Sequence, residues 1–190
     1  MDFGLLLIRA VVGLILAAHG AQKLFGWFGG YGIAGVGEFL ESLGFRPGRR
    51  AAEMAGTAEV VGGALLVLGL LTPLGAAAVI GVMVVAGASV HRGRGFAVTS
   101  GGWEFVTVLG VVAAGLAFTG PGAISLDRAL DLDLGGPLWG VLAVAIGLAA
   151  AGTQLSVRRV DDPGIDLRDE VVDATDADTA PYDIEADADR

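Results

Sequence analysis

The sequence predicts an all-α membrane protein: five hydrophobic helices followed by a disordered acidic tail. Three observations carry this. Apolar side chains make up 54% of the 190 residues, mean hydropathy is +0.68, and 32 glycines come in addition. The apolar residues gather into runs at 4–25, 51–71, 74–90, 104–119 and 138–155, which is the pattern of bilayer-spanning helices. Charge is segregated as well. Residues 161–190 hold twelve acidic residues and two arginines, a net of −10, so with −9 overall the first 160 residues carry +1. The acidity therefore belongs to the tail. Cysteine is absent, which excludes disulfides, thiol relays and cysteine-held zinc or iron–sulfur centres. Two histidines are too few for a histidine-rich metal site, and no metal is expected. Nothing in the chain points to nucleic acid; the expected surroundings are a lipid bilayer.

The first run, 4–25, reaches roughly 33 Å as a helix, enough for a hydrocarbon core of about 30 Å. It lacks the basic start of a signal peptide and is interrupted by Arg9, so it reads as a retained span. Arg9 either snorkels to the nearby interface or enters an internal ion pair. Gly13, Ala17 and Ala21 form a stripe of small residues that admits a neighbouring helix. At the end of this run His19, Gln22 and Lys23 share one helical face. Lipid cannot satisfy such a face, so it points to protein, water or a ligand, or else Gln22 and Lys23 snorkel to the headgroups.

The loop after it, Gly26-Trp-Phe-Gly-Gly-Tyr-Gly32, is rich in glycine and aromatics. It lacks a phosphate-loop lysine, and Trp27, Phe28 and Tyr31 suit an interfacial belt. Val36, Phe39, Leu40 and Leu43 follow helical spacing opposite Glu38, Glu41 and Ser42, which predicts a short amphipathic helix on the membrane surface, ended by Gly44. In the second span, Ala52, Gly56, Glu59 and Gly63 share a face. Glu59 lies about two turns inside, where a carboxylate needs a partner or a proton. A structural pair with Arg9 or Lys23 and a proton-handling role both fit. Thr72-Pro73 predicts a tight reversal into the third span, which ends at His91. There the helix dipole favours a cationic imidazole. Trp103 and Glu104 open the fourth span, and Gly120-Pro-Gly122 stops it before a polar connector. Pro137 suits the first turn of the fifth, which at 18 residues is short for a bilayer. Residues 160–190 have no hydrophobic period and read as disordered.

With five spans, the loops after the first and third and the tail share a side. That side carries Arg46, Arg49, Arg50, Arg92, Arg94, Arg158 and Arg159, against Arg128 on the other. Positive-inside bias then predicts an outside N-terminus and a cytoplasmic tail.

Three blocks resemble the DoxX family of small prokaryotic membrane proteins. They are Arg9-x3-Gly13 leading to His19-Gly20-x-x-Lys23-Leu24-Phe25-Gly26; Glu59-x-x-Gly62-Gly63 continuing to Gly69-Leu-Leu-Thr-Pro-Leu74; and Gly120-Pro-Gly122 with Ser125-Leu-Asp-Arg128. The resemblance runs from residue 4 to about 130. It implies a multi-pass protein of the prokaryotic plasma membrane with a four-helix core, here residues 1–130. To this the chain adds a connector and fifth helix at 131–159 and the acidic tail at 160–190. The resemblance also implies a link to redox chemistry, because the similar DoxD protein is a subunit of a thiosulfate:quinone oxidoreductase. On that basis a diffusible quinone is the expected cofactor and redox enzymes are the expected partners. His19, Gln22 and Lys23 are the candidates to bind the quinone, Glu59 and His91 to handle its protons, and Arg9–Glu59 to form a structural pair. A scaffold without catalysis and a small-solute carrier are the alternatives; the absence of an inverted repeat weighs against the carrier.

Overall fold

The computed structural model describes residues 1–159; the predicted acidic tail lies outside them. Among the described residues there are helices and no strands: α1 (Asp2–Phe25), α2 (Gly32–Ser42), α3 (Gly48–Leu68), α4 (Thr72–Ser89), α5 (Glu104–Thr119), α6 (Leu126–Ala129) and α7 (Pro137–Ser156). By length and composition α1, α3, α4 and α7 suffice to cross a membrane. The short apolar helix is α5, with 16 residues, rather than α7, which reaches 20 because Pro137 starts it and Ser156 ends it.

Packing starts from glycine. Helices α1 and α3 share the most extensive contact. A Cβ on Gly13 would come within 2.5 Å of the Gly63 carbonyl, and one on Gly20 within 2.6 Å of the Gly56 carbonyl. Moving seven residues along α1 thus moves seven back along α3. This is an antiparallel contact close enough that backbones touch. Ala52, Gly56, Glu59 and Gly63 are all buried on this side of α3, on the face that their spacing predicts. Large apolar side chains such as Phe3, Leu7, Val11 and Leu14 point outward instead. With small residues inside and large apolar ones outside, α1 suits a lipid surround.

The second span ends earlier than its hydropathy predicts. Gly69 adopts φ 60°, and Leu70 N donates to the Leu65 carbonyl (3.0 Å), closing a Schellman turn. The reversal therefore occupies Gly69–Leu71, and Thr72-Pro73 already belongs to the first turn of α4, where proline loses no helical hydrogen bond. Two distant side chains close this hairpin. The buried Arg9 guanidinium donates to the carbonyls of Leu66 (3.1 Å), Val67 (3.3 Å) and Ile124 (2.5 Å). The buried Asp127 carboxylate accepts from Leu71 N (2.6 Å), Thr72 N (3.0 Å) and Thr72 Oγ1 (2.8 Å). A cation thus covers carbonyls at the end of α3, and an anion covers amides at the start of α4, each matching the local helix dipole. Arg9 neither snorkels nor pairs with Glu59, because these carbonyls hold its two terminal nitrogens at the other end of α3, while its Nε stays buried without a partner among the described residues.

Helix α7 packs on α4 and α5. A Cβ on Gly147 would come within 2.8 Å of the Ala77 carbonyl, so α4 and α7 also meet backbone to backbone. Helix α2 lies against the start of α3, whose first amide, Gly48 N, donates to Glu41 Oε2 (3.0 Å).

Candidate functional site

A cavity of about 400 Å³ opens at the end of the bundle where α1 and α4 finish and α3 begins. Helix α2 contributes Phe39 and Leu40, the turn before α3 contributes Phe45, and α3 contributes Met54. Lys23, His91, Ser89 and Gln154 bring the polar atoms. An apolar chamber with a few convergent polar groups is the usual form of a small-molecule site.

Lys23 reaches the wall from the last turn of α1. Its Nζ pairs with Oε1 of Glu59 on α3. The Lys23 side chain is 28% exposed and that of Glu59 3%. The other carboxylate oxygen, Glu59 Oε2, is buried without a hydrogen-bond partner. A buried acceptor left open in this way costs stability unless a proton or ligand donor meets it. The partner of Glu59 is therefore Lys23 and not Arg9. Geometry decides this: Gly20 faces Gly56, so Lys23 enters beside Glu59, whereas Arg9 lies near Leu66.

His91 stands just beyond α4 on the cavity wall. Its Nδ1 lies 2.6 Å from the Gly101 carbonyl. A carbonyl only accepts, so Nδ1 carries the hydrogen and Nε2 is the ring nitrogen left for another partner. Lys23 and His91 thus share the cavity wall, and Glu59 backs Lys23 from within the α1–α3 contact without lining the cavity itself. The other two members of the predicted face lie elsewhere. His19 Nδ1 contacts the Ile15 carbonyl of its own helix (2.9 Å), and its ring faces Phe105 with centroids 5.9 Å apart. Gln22 donates to the Phe28 carbonyl (3.4 Å), holding the aromatic loop. Neither lines the cavity. Trp27, Phe28 and Tyr31 are exposed, as an interfacial belt requires.

Sequence reasoning missed Gln154 and Asp127. Gln154 is one polar residue in an apolar helix end, a position that ordinarily signals only an interface. Asp127 works on amides 55 and 56 residues away, so no local spacing reveals it. Among the described residues no group of three or more His, Cys, Asp or Glu is placed to hold a metal ion.

In comparison with known proteins, residues 4–92 match the family model described as DoxX, which takes in α1 to α4 and His91. No curated protein and no solved structure matches the chain.

Proposed function

We propose that this protein, whose residues 4–92 match the DoxX family model, is an integral membrane protein of that type and binds a membrane-soluble quinone as a subunit of a membrane oxidoreductase system. The observation that carries this reading is Lys23 on the wall of a largely apolar cavity, held by the buried Glu59 behind it, whose Oε2 has no hydrogen-bond partner among the described residues. A quinone is an apolar ring with carbonyl acceptors at its edge. Phe39, Phe45 and Met54 suit the ring, and Lys23 has donors to spare for a carbonyl.

When bound, the quinone supplies two-electron, two-proton carrier chemistry, with electrons from a partner oxidoreductase. The protein's own residues handle protons and position. Lys23 orients the head group and is itself held by Glu59. Behind it, Glu59 Oε2 is the acceptor that a proton relayed through Lys23 would meet. His91 Nε2, with its tautomer fixed by Gly101, is a second base. Met54 and Phe39 give the cavity an apolar wall beside these groups. By charge bias the cavity end faces the cytoplasm of a prokaryotic cell, the side that carries Arg46, Arg49, Arg50, Arg92 and Arg94.

The test compares wild type with the double variant Lys23→Met, Glu59→Gln, which removes both charges at nearly constant volume. Each is extracted into nanodiscs with native lipid, and quinone is quantified by mass spectrometry. Near-stoichiometric quinone that falls about tenfold in the variant is expected, the loss of roughly one charged hydrogen bond. Equal traces in both would overturn the reading. A packing clasp is the second reading, favoured by the same pair because it joins α1 to α3. In that case the double variant unfolds earlier and quinone is irrelevant.

A further inference from the structure

We infer that α7 supplies a ligand-reading residue to this cavity, the carboxamide of Gln154, which hydrogen-bonds the polar head group of the bound molecule. The inference rests on the quinone reading above and extends it to a helix outside the residues that match the DoxX model.

Three observations support it. Ala150, Ala151 and Gln154 all line the cavity, and their spacing places them on one face of α7. The neighbouring polar side chains of α7 satisfy themselves within the helix: Thr153 Oγ1 donates to the Ala149 carbonyl (2.9 Å) and Ser156 Oγ to that of Thr153 (2.8 Å). Among the described residues Gln154 has no hydrogen-bond partner, although it is only partly exposed. A carboxamide carries a donor and an acceptor, and against Phe39, Leu40 and Met54 neither finds a match in the wall. Finally, α7 is held in place over the site. Arg158 Nε donates to the Leu43 carbonyl (2.5 Å), Arg159 N donates to the Gly44 carbonyl (2.8 Å), and the Arg158 guanidinium lies 5.6 Å from the ring centroid of Phe45. Phe45 lines the cavity, so the end of α7 is anchored to the same turn that roofs it. A fixed helix presenting an unmet carboxamide is suited to read a carbonyl or hydroxyl.

The experiment titrates full-length protein in nanodiscs with a short-chain ubiquinone. Wild type is compared with Gln154→Met, which keeps volume, and Gln154→Asn, which keeps the amide but shortens its reach. Thr153→Val, on the neighbouring face, serves as the control. The expected result is a dissociation constant raised about five- to tenfold in both Gln154 variants, the loss of one net hydrogen bond, with the control unchanged. The carbonyl stretch of the bound quinone should also move to higher frequency in Gln154→Met, a signature that a purely structural role would not produce. Binding unchanged in both Gln154 variants would overturn the inference and leave the quinone reading standing. Wild type that binds no quinone would overturn both.

Discussion

Arg9 and Asp127 differ from every other charged residue of the bundle in being fully enclosed, and they act on the same turn from opposite sides. Arg9 covers carbonyls of α3 and Ile124, and Asp127 covers amides of Leu71 and Thr72. Arg9→Leu should therefore leave three carbonyls and the neighbouring carboxylate without their cation. A loss of about 3 kcal/mol or more is expected, read as a lower thermal midpoint in detergent and lower recovery of folded protein. A midpoint equal to wild type would show that the turn closes without it. At this scale the sequence was only partly legible. It marked Arg9, Lys23, Glu59 and His91 because charge in an apolar run stands out. It did not say which cation meets Glu59, since both lie on α1 and only the register of α1 on α3 decides. His19 and Gln22 share a helical face with Lys23, yet helix spacing cannot tell a cavity wall from a contact with Phe105 or Phe28.

Among elements, the α1–α3 pair is the one whose geometry leaves least freedom. A side chain on Gly20 would meet backbone of α3, and backbone cannot swing aside. Gly20→Val is expected to cost about 2–3 kcal/mol by forcing the helices apart, whereas Gly152→Ala, which meets nothing within 4 Å, should be neutral. Parallel thermal melts check the pair, and equal midpoints would refute the close contact. The spans were legible because hydropathy and helix length are local properties. The small-residue stripe was legible too, although Gly13 and Gly20, rather than Gly13, Ala17 and Ala21, make the closest approaches. The end of α3 was not, because Leu70 and Leu71 are as apolar as a span and only the left-handed Gly69 stops the helix. The contact of α7 with α4 was equally hidden, since it depends on Gly147 meeting Ala77 across 70 residues of chain.

For the molecule as a whole, the open question of orientation is suited to a chain without cysteine. Val98 and Leu130 are both exposed, one in the loop after α4 and the other in the connector after α5. In intact cells, Leu130→Cys should react with an impermeant maleimide and Val98→Cys only after permeabilisation, as the arginine distribution implies. The opposite pattern would invert the topology and place the cavity end outside. The charge pattern was legible in full from the sequence. The cavity was not, because its lining comes from α1, α2, α3, α4 and α7, which no single stretch displays.

The hydrogen bond from Arg159 N to the Gly44 carbonyl has a mechanical consequence. Together with Arg158 on Leu43, it ties the last described turn of the chain to the loop between α2 and α3. A displacement of Arg159 is therefore delivered to that loop, and so to Phe45, before it reaches the interior of the bundle.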